Sequence, residues 1–125
     1  MLDKQVFPRD KLCGGLLTRK TVLLLKDLFH TSPDLLASKR VIADQSTRYG
    51  VDLPNRSRFL GKLQYPFHFV DRRVYDAFWL NMACEAGVEL RSGEKVIALD
   101  LFNSRVMTAA GNQYSAKYII GADGA

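Results

Sequence analysis

Phe7-Pro8-Arg9-Asp10-Lys11-Leu12-Cys13-Gly14-Gly15 is the stretch on which the fold reading turns. A proline turn carrying two cations, Arg9 and Lys11, leads into paired glycines, and an apolar helical pattern opens at Leu16. Paired glycines let a backbone come close to a flat ligand, and the N-terminus of a following helix favours negative charge. The segment therefore fits a cofactor or anion loop, and equally a plain glycine turn. Cys13 has Arg9, Lys11 and a helix start nearby, all of which lower a thiol pKa. It is a candidate reactive thiol, with a small packing residue as the alternative.

Outward from this loop, residues 16–29 predict a helix, with Leu17, Leu24, Leu25 and Leu28 at helical spacing and Thr18 or Thr21 as its cap. Ser32-Pro33-Asp34 predicts a second, short helix, with an N-cap, a proline at the first position and an acid in the first turn. Residues 39–70 change to strands and loops. Segments 41–43 and 48–51 read as separate strands, Pro54-Asn55 breaks the run, and Pro66 keeps 65–70 off a central strand unless it lies at the start. Asp71 then caps a helix over 72–86, with Val74, Phe78, Met82 and Ala86 on one stripe and Gly87 as its stop. A strand begins at 88–90. Segments 95–102 and 105–109 form a hairpin turning at Asn103-Ser104, and Gly111-Asn112 turns the chain into 113–116.

Two acids end apolar segments. Tyr118-Ile119-Ile120 reads as a strand running into Gly121-Ala122-Asp123-Gly124, which puts Asp123 at the strand's C-terminal edge, where ligands bind in open α/β sheets. Leu2-Asp3 has the same form, and in a dinucleotide-binding unit such an acid accepts hydrogen bonds from the ribose hydroxyls. On local pattern alone, a glycine turn and a surface turn acid fit these residues as well.

The 125 residues suffice for one domain with a modest core, and 47% apolar with 25% charged residues is ordinary for a globular chain. No apolar run approaches the ~20 residues of a membrane-spanning helix. Charges at Asp3, Lys4, Arg9, Asp10 and Lys11 exclude a signal peptide there. Two cysteines, Cys13 and Cys84, make neither a disulfide scaffold nor a zinc site, so a reducing, cytoplasmic setting is expected. The net charge of +5 is scattered, with no run of cations longer than two, which argues for a solvated basic surface and against nucleic acid. Phe67, Phe69, Tyr75, Phe78 and Trp79 fit core positions, with the lining of an apolar channel as the alternative.

Four landmarks in order, Asp3-Lys4, Pro8-Arg9-Asp10-Lys11-Leu12-Cys13-Gly14-Gly15, Val70-Asp71-Arg72-Arg73-Val74-Tyr75-Asp76 and Gly121-Ala122-Asp123-Gly124, resemble the FAD-dependent geranylgeranyl reductase family. That family belongs to the flavoproteins built like aromatic-ring hydroxylases. The resemblance implies an α/β fold, mixed with α+β features: a partial, Rossmann-like FAD- or NAD(P)-binding domain over residues 1–125 with an inserted β-hairpin region. It implies that Asp3, with Lys4, holds the adenosine ribose, and that Arg9, Lys11 and Cys13-Gly14-Gly15 pass near the flavin, Cys13 as a candidate catalytic thiol. It further implies that Arg72 lies along the cofactor and that Asp123 and Gly124 lie near the pyrophosphate. The implied reaction is reduction of isoprenoid or lipid C=C bonds by hydride from the flavin, reloaded by NAD(P)H or a ferredoxin-like donor, with peripheral membrane contact as a further expectation.

The family's first strand and Gly-x-Gly-x-x-Gly turn, which would precede Asp3, are not among these residues. That turn seats the pyrophosphate, so the chain reads as an internal slice of such an enzyme and is expected, alone, neither to bind FAD tightly nor to turn over substrate. An FAD-dependent aromatic-ring monooxygenase shares the Asp-Gly segment and the helix-borne arginine. A non-catalytic basic binding module is the reading from another class.

Overall fold

The computed structural model describes residues 1–54 and 57–122. The chain divides into two units, one of Asp10–Leu80 and one of Met1–Arg9 with Asn81–Ala125. The second unit contains the first strand, β1 (Leu2–Asp3).

In the unit Asp10–Leu80, Thr18 decides where helix begins. Its backbone is extended and its hydroxyl accepts a hydrogen bond from the Thr21 N–H at 3.5 Å, so helix α1 runs Arg19–Phe29. The helix expected from residue 16 is thereby corrected. Leu16 and Leu17 form strand β2 (Leu16–Leu17), which pairs with Phe69 and His68 instead. Leu17 is buried through that pairing, Leu25 is the buried residue of α1, and Leu24 and Leu28 face outward. The second helix, α2 (Pro33–Ser38), has the expected start: the Ser32 hydroxyl accepts from the Leu35 N–H at 3.2 Å and Pro33 opens the helix.

Strand β3 (Ile42–Asp52) and strand β4 (Arg58–Val70) form one long antiparallel pair, from Ile42 opposite Val70 to Asp52 opposite Arg58. The two short strands expected at 41–43 and 48–51 are therefore one, because the ladder bridges the polar residues between them. The order β2-β4-β3 makes β4 central, contrary to the edge position expected from Pro66. The reason is visible in the register. Ser46 faces Phe67 but Arg48 faces Lys62, a shift that leaves residues 63–66 without a β3 partner in register. A proline costs a ladder nothing where no ladder bond is due.

Helix α3 (Arg72–Glu85) follows β4 directly, with the Asp71 carboxylate accepting from the Arg73 N–H at 2.8 Å. Tyr75, Phe78 and Trp79 pack against the core of Leu17, Leu25, Leu36, Val41 and Val70, as expected for these aromatics, so that Phe78 of the expected stripe faces inward beside Tyr75 and Trp79. Val74 lies outward. Three aromatic rings remove more apolar area from water than one valine can, which sets the rotation of the helix. Trp79 meets Phe29 at 5.0 Å, Phe78 at 5.3 Å and Tyr75 at 6.0 Å between ring centres.

In the other unit, Gly87 ends α3 as expected. Its φ of 97° lets Val88 N–H reach the Ala83 carbonyl at 3.0 Å and Gly87 N–H reach that of Cys84 at 2.9 Å. This closure occupies the residues where a strand was expected, so β5 begins later, at Arg91–Ser92. It lies parallel to β1, Leu2 opposite Arg91 and Asp3 opposite Ser92. The hairpin of β6 (Val96–Asp100) and β7 (Arg105–Thr108) is present, and β8 (Gln113–Ser115) adds a third antiparallel strand after Gly111. The Asp100 carboxylate ties the first turn, accepting from Asn103 N–H at 3.0 Å and from its side-chain amide at 2.7 Å.

Residues 118–120 are not a strand, correcting that expectation. No described strand pairs with them, and Tyr118 and Ile120 are 76% and 87% exposed. The architecture is mixed α and β in three small sheets, with β1–β5 the parallel pairing among the described residues. Among those residues no helix is long and apolar enough to cross a membrane.

Candidate functional site

At the end of β4 the chain makes two constructions that share a wall. On one side, Gly15 is pressed against β4. Its carbonyl accepts the Val70 N–H at 2.8 Å, its φ is 64°, and a Cβ there would collide with the Val70 carbonyl oxygen. Glycine is required at this position for both reasons. Gly14 differs, since open space surrounds the place of its missing side chain. On the other side, Val70 passes through Asp71 into the first turn of α3. Between them lies an open cleft of about 440 Å³ lined by Asp10, Lys11, Leu12, Cys13, Val70, Asp71, Arg72 and Arg73.

Arg72 is the most constrained polar side chain of this cleft. Its Nε and Nη2 donate to the two Asp76 carboxylate oxygens at 2.8 and 2.9 Å, and the side chains are only 22% and 13% exposed. Asp76 holds the guanidinium firmly protonated, well above its ordinary value. The Cys13 thiol lines the same cleft as this guanidinium. Cys13 is exposed, and its thiol is shifted below the ordinary range, first by the Gly15 backbone N–H and then by Arg72, with a smaller push from Lys11. These donors favour the thiolate, the nucleophilic form of cysteine. Arg73 and Asp10 form an exposed ion pair across the cleft mouth at 3.4 Å.

Of the residues expected at a site, Lys11, Cys13 and Arg72 line this cleft, and Gly14 and Gly15 shape the loop beside it. Asp3, Lys4 and Arg9 belong to the other unit. There Asp3 ends strand β1 and its carboxylate accepts from the Gln5 N–H at 2.8 Å. Arg9 has its guanidinium 5.2 Å from the Phe7 ring centre. Asp123 and Gly124 lie outside the described residues. Asp76, Asp10 and Arg73 were given no role from sequence, and Asp71 only that of a helix cap. The signal for Asp76 was present in the spacing: an acid four residues after an arginine on a helix faces it.

No family model matches this chain, and no curated protein matches it in sequence. Solved structures do share its fold. The halogenase PltM aligns at 20% identity over 97% of this chain and 29% of its own, with a TM-score of 0.77. The flavin-dependent brominase Bmp2 aligns at 19% identity over 90% of this chain and 28% of its own, with a TM-score of 0.67. A flavoprotein/dehydrogenase from Cytophaga hutchinsonii aligns at 18% identity over 90% of this chain and 29% of its own, with a TM-score of 0.62. The chain thus spans less than a third of the length of the structures it matches, and carries the fold of that part of them.

Proposed function

We propose that these residues form part of an FAD-dependent oxidoreductase, and that the cleft between the Cys13-Gly14-Gly15 loop and the start of α3 receives a portion of the cofactor. The observation that carries this reading is Arg72, fixed by Asp76 and presented with Lys11 beside a loop whose backbone Gly15 holds against β4. The residues fit the group in two respects. Open space over Gly14 allows a flat ring close approach to the backbone, and the two cations suit the anionic parts of a dinucleotide. The fold shared with a flavin-dependent brominase and a flavoprotein supports FAD.

In this reading Lys11, Cys13, Gly14, Gly15 and Arg72 line the flavin side; the sequence resemblance alone assigns Arg9 to the flavin, Asp3 and Lys4 to the adenosine ribose, and Asp123 and Gly124 to the pyrophosphate. Bound FAD supplies the hydride chemistry. The chain's residues bind and orient it and keep water from it. The finer reading is reduction of isoprenoid or lipid C=C bonds, as in geranylgeranyl reductases, with NAD(P)H or a ferredoxin-like protein as donor. It is supported by the Pro8-Arg9-Asp10-Lys11-Leu12-Cys13-Gly14-Gly15 segment. An aromatic-ring monooxygenase is the second reading, favoured by Arg72 on its helix and by the Gly121-Ala122-Asp123-Gly124 segment.

The test is flavin content and reactivity of the natural protein carrying these residues. FAD released on heat denaturation in proportion to the protein, and lost in Arg72→Ala, is the expected result. A protein that carries no flavin and takes up none overturns the proposal. Reoxidation of its reduced flavin by a polyprenyl diphosphate, against consumption of oxygen with an aromatic substrate, separates the two reactions.

A further inference from the structure

We propose that Asp76 is a positioning residue: by gripping both Nε and Nη2 of Arg72 it fixes the guanidinium in the cleft that Cys13 also lines, and so makes the cleft a preformed cationic seat. The geometry supplies the reason. Arg72 opens α3, where its long side chain would otherwise be free to swing into water. Asp76 lies four residues on, one turn further along the same face, and meets the guanidinium with two oxygens at 2.8 and 2.9 Å. A two-oxygen grip on a planar group sets its direction as well as its distance, which a single contact does not. The pair is largely shielded from water, whereas the other cleft pair, Arg73 with Asp10, is exposed and met at 3.4 Å. Arg72 is thus the cation of the cleft whose direction is fixed. This deepens the cofactor reading above, since a preformed cation is what an anionic or electron-rich ligand would meet.

The Cys13 sulfur reports on where Arg72 stands. The charged groups around it are Lys11, Arg72 and Arg73, with Asp10, Asp71 and Asp76 of opposite sign. Iodoacetamide alkylation measured against pH reads its thiolate: the sulfur displaces iodide, so the rate follows the deprotonated fraction. The second cysteine, Cys84, is exposed on α3 and is removed by Cys84→Ser, leaving one thiol. In that background Asp76→Asn is the decisive variant, because its two effects have opposite signs. Deleting a negative charge near a thiol can only favour the thiolate and move the profile to lower pH. Release of Arg72 takes a positive charge away from the cleft that the thiol lines and moves the profile to higher pH.

The expected result is a shift to higher pH, with far-UV circular dichroism unchanged. A profile that stays in place or moves to lower pH in folded protein overturns the proposal. Should Asp76→Asn fail to fold, Arg72→Lys decides, since lysine keeps the charge but cannot make the two-oxygen grip. A shift to higher pH supports the proposal and an unchanged profile overturns it. No flavin enters this measurement, so its failure leaves the cofactor reading intact, and the flavin assay above fails independently of it.

Discussion

Gly15→Ala tests the construction on which the cleft depends. At Gly15 the backbone has a φ of 64°, a conformation that costs an L-residue with a Cβ about 1–2 kcal/mol. The added methyl group would also run into the Val70 carbonyl oxygen, which belongs to backbone and cannot rotate aside. Relieving that collision pulls the loop off β4 and breaks the 2.8 Å bond from Val70 N–H to the Gly15 carbonyl, a further loss of about 1 kcal/mol. The sum is about 2–3 kcal/mol. At a urea dependence of about 1–3 kcal/mol per molar, the unfolding midpoint falls by about 0.7–3 M. Urea unfolding followed by Trp79 fluorescence is a suitable assay, because the indole packs against the same core that holds Val70. Gly14→Ala is the internal comparison: nothing stands within 4 Å of its would-be Cβ, so its midpoint should shift little. Equal midpoints for Gly15→Ala and wild type, or equal losses at Gly14 and Gly15, would refute the account of this loop.

Leu36→Ala empties a site that is 1% exposed at the centre of the same core, and should cost about 2–5 kcal/mol in urea unfolding. Ser32→Ala removes the hydroxyl that receives the Leu35 N–H at 3.2 Å, and should cost about 1 kcal/mol in the same assay. Glu94 accepts from the Asn112 amide at 2.7 Å and the Tyr114 hydroxyl at 3.2 Å, and its carboxyl is held below the ordinary range, first by Thr108 and then by Asn112 and Tyr114. A carboxylate with a lowered folded pKa stabilises above its unfolded pKa of about 4.3 and loses that contribution as pH falls through the folded value. The stability difference between wild type and Glu94→Gln, measured by thermal unfolding from neutral pH downward, should therefore be present near neutrality and vanish in acid. A difference that persists or grows in acid would contradict the role given to the carboxylate.

Local chemistry was legible in the sequence wherever one or two residues settle the backbone. Ser32-Pro33 marked the start of α2, Gly87 the end of α3, and Asn103-Ser104 the hairpin turn, because capping and turn geometry act over three or four residues. What failed was decided by distant partners. Leu16 and Leu17 have helical spacing yet pair with Phe69 and His68, some fifty positions away. Pro66 argued against a central strand, and only the register shift opposite Ser46 and Arg48 makes its place there harmless. Tyr118-Ile119-Ile120 has strand composition, but composition supplies no neighbour to pair with.

The cleft shows the same division. Cys13, Gly15 and Arg72 were singled out separately, for a thiol among cations, a loop glycine and a helix-start arginine. What joins them is one residue of β4, Val70, whose N–H holds Gly15, whose carbonyl forbids a side chain there, and whose successor caps the helix that carries Arg72. The loop and the helix start are thus fixed to a common point of the sheet, and Asp76 carries that fixity out to the guanidinium. Disturbing the strand end should therefore move loop and arginine together. Disturbing Asp76 should release the arginine while leaving Gly15 on the sheet.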